Sequence, residues 1–146
     1  MYTDVITLFN RIPGARGEPD TWLPTVIRGV NINIDIDRAA ILTKYGAQCQ
    51  DKAVVNIHYE MGGGQIVVAG KQFQPSKEWS QTADTLTFTP AKDFFWAGEW
   101  DGGVVSDTDY GTEGFYGCMN RTKDGVFLIS SVARYSAIPH FEVMGK

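Results

Sequence analysis

The sequence predicts a mainly β fold, a small antiparallel β-barrel or sandwich with long loops and one or two short helical turns, in a single domain of residues 1–146. Three observations support this prediction. Apolar runs are short and rich in β-branched residues, glycine and proline separate these runs, and helical periodicity is almost absent. With 43% hydrophobic residues, a chain of 146 residues is long enough to bury a core without disulfide or metal staples.

The clearest strand is VNINIDIDRAA, which begins at Val30 and alternates between apolar and polar residues. Its polar positions also resemble the start of a calcium-binding loop, which needs glycine at its sixth position and glutamate at its twelfth. Counted from Asn31, those positions hold Ile36 and Leu42, and counting from the next asparagine puts a lysine at the twelfth position. The stretch is therefore predicted to be a strand, with an inward face of Val30, Ile32, Ile34 and Ile36 and an outward face of Asn31, Asn33, Asp35 and Asp37.

The remaining elements follow from residue type and turn signals. AVVNIHY and QIVVA are rich in β-branched residues, and the glycines between them predict a hairpin. Pro139 marks a turn before the last strand. The predicted strands are residues 5–10, 21–28, 53–59, 65–69, 71–74, 85–89, 126–134 and 141–144, and the predicted helical turns are residues 38–44 and 112–119.

Charge is distributed unevenly along the chain. Residues 93–116 contain six acids and no Lys, Arg or His, together with several aromatic residues and glycines. Because large rings exposed on a loop tend to seek a partner surface, residues 96–116 are predicted to be a docking loop that is separable from the β core. The alternative is an ordinary solvated loop. The candidate docking residues are Trp96, Glu99, Trp100, Asp101, Asp107, Asp109, Tyr110 and Glu113.

No motif for catalysis, metal binding or a cofactor is present. GGGQIVVAGK lacks the spacing of a phosphate-binding loop, the two histidines belong to no ligand cluster, and the two cysteines have no CxxC spacing. We therefore expect a protein that is not an enzyme and that has no cofactor.

One hint opposes this expectation, because Glu99 and Asp101 lie among tryptophans in WAGEWDGG. This pattern leaves two alternatives, a noncatalytic carbohydrate-binding β domain and a glycoside hydrolase.

Charge and hydropathy limit the partners. A net charge of -4 argues against a general nucleic-acid binder, which has a basic stripe. The N-terminal MYTDVITLFNRIPG lacks the features of a secretion signal, and no apolar run approaches the ~20 residues that span a bilayer. We therefore expect a protein made in the cytoplasm, with no membrane partner.

Both ends of the chain resemble a known family. The start DVITLFNR, the following WLPTVIRGV, a middle segment with Trp79, and the ending FLISSVARYSAIPHFEVMGK are similar to small proteins of the head–tail module of tailed bacteriophages and prophages. The terminal pattern is matched by His140, Phe141, Val143, Gly145 and Lys146. The chain departs from the usual pattern in its acidic aromatic insertion, residues 96–116.

The resemblance implies a virion structural protein, a head-completion protein or head–tail connector (stopper) that joins the filled capsid to the tail. A minor capsid or tail-completion role is the alternative within the same family. It also implies a small β-barrel that acts as a ring of identical subunits, with neighbouring virion proteins as partners. Contact with DNA would be transient and non-specific, and assembly would take place in the bacterial host cytoplasm.

Overall fold

The residues that the structure describes form a closed six-stranded antiparallel β-barrel with one short α-helix, and 48% of them are in strands and 15% in helices. The computed structural model describes residues 2–34 and 52–146. The predicted mainly β class is confirmed, and of the two predicted architectures the barrel is the one observed. The helical turn predicted at residues 38–44, together with Asp35, Ile36 and Asp37, lies outside the described residues.

Most strands lie where the sequence predicts them, with their ends moved by a few residues. The exceptions are β4, β8 and β9, which the sequence does not predict, and β7, which is shorter than expected. β5 pairs with β4 and not with β3, so the predicted hairpin between residues 53–59 and 65–69 is wrong. The strands are β1 (Asp4–Ile12), β2 (Thr21–Ile34), β3 (Ala53–His58), β4 (Glu60–Gly62), β5 (Gln65–Val68), β6 (Lys71–Phe73), β7 (Thr85–Leu86), β8 (Phe94–Trp96), β9 (Val105–Ser106), β10 (Val126–Tyr135) and β11 (His140–Gly145). The helical segments are 3-10 turns at Ser76–Glu78 and Asp107–Glu113 and one α-helix, α1 (Gly114–Thr122).

The barrel closes because the long strand β2 pairs with both β1 and β3. The wall has the order β1-β8-β10-β11-β3-β2, and β2 pairs again with β1 to complete the circle. The first part of β2 pairs with β1, and its last residues, from Asn31 onward, pair with β3. Gly29 lies at the change of partner with φ +70°, a backbone conformation that glycine adopts without strain. A register shift between Asp4 and Val5 on β1 accompanies this bend.

Alternate side chains of the wall strands fill the barrel interior, and a second, smaller sheet covers it. Ile6, Leu8 and Ile27 point inward and belong to one buried cluster that includes residues of the other wall strands. A second sheet of β4, β5, β6 and β7 contributes residues to the same cluster, including Val68 and Leu86. The small sheet therefore covers the barrel core and is not a separate unit.

The alternating stretch at the end of β2 behaves as predicted only in part. Val30 is fully buried, Ile32 packs against the barrel cluster, and Asn31 pairs with Asn56 in the ladder to β3. Ile34, however, is 41% exposed, so its predicted burial is wrong, although alternation keeps it on the same face as Ile32. The reason is that the buried cluster ends at Ile32, and Ile34 is the last residue of the strand.

A substitution at this position tests the corrected assignment. Because Ile34 is exposed, Ile34→Asp should change the free energy of unfolding by no more than about 0.5 kcal/mol. Val30→Ala removes buried methyl groups and should cost about 1.5 kcal/mol or more. Urea denaturation of both variants separates the two outcomes. Unfolding of the Ile34→Asp variant would restore the predicted burial of Ile34.

The single α-helix among the described residues is short. α1 has nine residues, and no helix in residues 2–34 and 52–146 is long and apolar enough to span a bilayer. Its Cys118 is half-buried with a free thiol, whereas Cys49 lies outside the described residues. α1 packs on the outside of the barrel, beside the predicted docking loop.

Candidate functional site

The acidic aromatic insertion, residues 96–116, folds onto the outer wall of the barrel. Alternation on β1 turns Leu8 into the barrel and Phe9 outward, and the neighbouring Phe94 of β8 is also outward. These rings start a second buried cluster, which we call the outer cluster. Its buried members are Phe9, Trp22, Phe94, Val105, Phe115, Met119 and Val126.

Phe115, from the start of α1, lies at the centre of the outer cluster and is fully buried. Offset and edge-to-face contacts of this kind stabilise a cluster beyond its buried area. The ring centroid of Phe115 lies 4.9 Å from Phe9, 4.9 Å from Tyr110, 5.4 Å from Trp100, 5.7 Å from Phe94 and 6.1 Å from Trp22.

The candidate aromatic residues of the insertion face this cluster. Trp96, Trp100 and Tyr110 are half-buried against it, and burial raises the pKa of the Tyr110 hydroxyl. The backbone N–H of Trp100 donates to Thr7 Oγ1 at 3.0 Å, which ties the insertion to β1. These rings pack against the chain's own barrel, which argues against the prediction that residues 96–116 are separable from the β core.

Three of the candidate acids have partners within the chain. Glu99 pairs with Arg28, and hydrogen bonding to this guanidinium lowers the pKa of the Glu99 carboxyl. Arg121 pairs with Glu113 at 2.7 Å and lowers its pKa in the same way. Asp107 Oδ1 accepts hydrogen bonds from Trp22 Nε1 at 2.8 Å and from the N–H of Phe115 at 2.9 Å.

The remaining candidates form the solvent-facing part of the insertion. Asp101 and Asp109 are exposed, and neither has an ion pair within residues 2–34 and 52–146. Val104, between them in sequence, is 63% exposed. We call these three residues the acidic rim. The structure thus divides the eight candidates into three groups. Trp96, Trp100, Tyr110 and Asp107 pack on or hydrogen-bond to the outer cluster, Glu99 and Glu113 form exposed ion pairs, and Asp101 and Asp109 belong to the rim.

Asp93, just before β8, is a buried acid that was not among the candidates. It is 1% exposed, and its carboxylate accepts from Arg11 N at 2.9 Å, Asn10 Nδ2 at 2.9 Å and Thr89 N at 2.8 Å. Burial raises the pKa of Asp93, and the N–H donors oppose that shift. The carboxylate joins the end of β1 to the loop before β8. Its hydrogen bond holds the backbone of Arg11, which lines a surface cleft.

That cleft lies between the barrel wall and the start of α1 and has a volume of about 270 Å³. Its charged lining comes from three separate parts of the chain, namely Arg11 on β1, Lys92 before β8, and Asp107 and Glu113 on one 3-10 segment. Its remaining lining residues are Trp22, Ala91, Gly114, Phe115, Tyr116, Gly117 and Leu128. A smaller cleft of about 110 Å³ adjoins it and shares Arg11 and Lys92.

Sequence reasoning missed the basic side of this cleft. Arg11 lies near the end of β1 and Lys92 precedes β8, and the pairing of these two strands brings them together. Arg11 is paired with Asp20, whereas Lys92 is exposed and has no ion pair with any described residue. No group of three or more His, Cys, Asp or Glu in the described ranges is arranged to hold a metal ion. The cleft offers charged hydrogen-bonding groups and aromatic rings.

Comparison with known proteins gives one match. The model of a family described as "Family of unknown function (DUF6751)" matches residues 1–146, the whole length of the chain. No curated protein and no solved structure matches it.

Proposed function

We propose, from the premise that the chain belongs to the DUF6751 family of unknown function, that it is a structural protein of a bacteriophage virion. Its role is that of a head–tail connector or head-completion (stopper) protein, which assembles as a ring between capsid and tail. The ring forms in the bacterial host cytoplasm and remains in the virion. The protein acts by binding copies of itself and neighbouring virion proteins, not by catalysis.

One observation carries this proposal. The motifs that resemble the head–tail family are strands of the barrel wall itself. DVITLFNR is most of β1, WLPTVIRGV lies in β2, and the C-terminal ISSVAR and HFEVMG lie in β10 and β11. β10 and β11 pair with each other, as do β1 and β2, so the similar segments form contiguous parts of one wall. The resemblance therefore concerns the framework of the molecule and not scattered surface residues.

A closed barrel suits such a role because a ring needs rigid subunits. Side-to-side contacts between identical copies use two different faces of each subunit, and the barrel closure leaves the wall without a free edge along most of its strands. Each contact can be weak, since several contacts in a ring act together. The acidic rim (Asp101, Val104, Asp109) offers unpaired carboxylates and an apolar side chain for a neighbouring virion protein. Carboxylates also repel DNA phosphates, which keeps the genome from adhering.

A deletion in the strain that carries the gene tests the proposal. After induction, particles without this protein should be filled heads and separate tails, and plasmid-borne wild-type protein should restore joined virions. Asp101→Lys with Asp109→Lys should fail to restore joining, because it reverses the charge of the acidic rim. Asp124→Lys, which changes another exposed acid, should restore it. Electron microscopy of purified particles gives the readout. Joined, infectious particles that lack the protein would rule out the proposed function.

A further inference from the structure

We propose that the 270 Å³ cleft beside α1 is a binding site for a neutral carbohydrate. This inference goes beyond the structural role proposed above and does not depend on it, because the cleft is not part of the acidic rim. Four features support it, which are the polar groups of the cleft, the hydrogen bonds that fix these groups, its aromatic wall and its strained backbone.

The polar groups of the cleft match the chemistry of sugar hydroxyls. A hydroxyl both donates and accepts hydrogen bonds. The cleft presents donors, the Arg11 guanidinium and the Lys92 ammonium, together with carboxylate acceptors on Asp107 and Glu113. Two cations and two carboxylates also balance in charge, so the cleft has no excess positive charge for a phosphate or a sulfate. A neutral ligand with several hydroxyls uses both kinds of group.

Three of these four side chains are already held in place. Asp107 Oδ1 is fixed by Trp22 Nε1 and the N–H of Phe115, and its Oδ2 makes no hydrogen bond to the described part of the chain. Arg121 holds both oxygens of Glu113, and Asp20 holds Arg11. Groups that are fixed before binding lose less conformational entropy when a ligand arrives. Asp107 thus presents a fixed acceptor, whereas Lys92 closes on the ligand.

The wall of the cleft is aromatic. Tyr116 is half-buried and lines the cleft, and its ring is anchored by Phe94 at 5.0 Å between centroids. Trp22 and Phe115, which belong to the outer cluster, also line the cleft. The C–H face of a pyranose packs well on such a surface, because aromatic rings carry a negative face that attracts C–H groups.

The backbone of the two clefts is strained. Among the described residues, three non-glycine residues have positive φ, and two of them line these clefts. Ala91, with φ 65°, lines the larger cleft, and Gln81, with φ 61°, lines the adjoining one. Such conformations are unfavourable for non-glycine residues and concentrate at ligand-binding sites. The buried carboxylate of Asp93 holds the neighbouring backbone of Thr89 and Arg11 in this arrangement.

Titration of the full chain with soluble oligosaccharides tests the inference. The probes are cellotetraose, maltotetraose, chitotetraose and mannotetraose at millimolar concentration, with inorganic phosphate as the anionic comparison. Binding is followed by amide chemical shifts. At least one oligosaccharide should shift the resonances of Tyr116 and Gly117, which line the cleft. Absence of any shift with all four sugars, or a response to phosphate alone, would overturn the proposal.

Two variants and a matched control locate the binding. Lys92→Met removes the free donor, and Asp107→Asn keeps an oxygen for Trp22 and Phe115 while converting the free acceptor into a donor. Each should weaken binding of the sugar at least about tenfold, equivalent to ~1.4 kcal/mol. Lys123→Met, at an exposed lysine beyond the end of α1, should leave affinity unchanged. Equal affinity of all variants would place the sugar elsewhere and reject this cleft. Neither result bears on particle joining, so the two proposals fail separately.

Discussion

Phe115→Ala is expected to lower the free energy of unfolding by about 3–5 kcal/mol, a larger effect than that of any other substitution proposed for this protein. Phe115 is fully buried at the centre of the outer cluster, in contact with five other rings. Truncation removes the transfer free energy of the ring and leaves a cavity that surrounding aromatic side chains cannot fill without leaving their rotamers. For a domain of this size, such a loss is a large share of the total stability.

Urea denaturation, with the slope of the transition checked against wild type, measures the loss. Phe115→Leu should cost less than Phe115→Ala, which keeps the comparison informative if the alanine variant does not fold. Val104→Ala is the control, because Val104 belongs to the same insertion but is exposed, and it should change stability by no more than about 0.5 kcal/mol. Equal stability of Phe115→Ala and wild type would mean that the insertion is not part of the folded core.

The packing of residues 96–116 on the outer cluster determines the expected result of deleting part of this insertion. If the insertion were separable, replacing residues 101–112 with a short Gly/Ser linker would leave a folded β core. That segment contains Val105, Asp107 and Tyr110, which pack on or hydrogen-bond to the outer cluster. Its removal uncovers Trp22 and Phe115, so the deletion should instead destabilise the barrel. The docking role of the acidic rim is better tested by point substitutions.

Asp93→Asn is expected to cost about 2–3 kcal/mol, although the two side chains have nearly the same shape. Asp93 Oδ1 accepts from Arg11 N, and Oδ2 accepts from both Asn10 Nδ2 and Thr89 N. An asparagine places its NH2 group at one of these two positions, where it meets at least one N–H donor. Whichever way the amide turns, a buried donor loses its acceptor.

Denaturant titration of Asp93→Asn against Asp124→Asn measures this cost. Asp124 is exposed, so its substitution controls for the loss of one negative charge and should be nearly neutral. Amide hydrogen exchange at Arg11 and Thr89 gives a second readout, and both amides should lose protection in the Asp93 variant. Unchanged protection together with unchanged stability would show that the carboxylate does not tie β1 to the loop before β8.

The β class and most strand positions could be predicted from the sequence because they depend on local properties. The residues of β1, β2, β3, β10 and β11 alternate or are β-branched, and Pro139 marks the turn before β11. Gly29, predicted to separate two strands, instead marks the bend at which the continuous β2 changes partner. β8 could not be predicted in this way. Phe94 faces the outer cluster while Phe95 faces the barrel interior, so the strand is buried on both sides and does not alternate.

The sequence also determined that the rings of residues 96–116 need burial, because an acidic, glycine-rich segment does not solvate two tryptophans. It could not determine the surface that buries them. That surface is made by Phe9, Trp22 and Phe94, which lie far apart in sequence and become neighbours only when β1 pairs with β2 and β8. The cleft of Arg11, Lys92 and Asp107 has the same origin. Local sequence determines which face of a strand is apolar, whereas strand pairing over long separations decides which side chains meet.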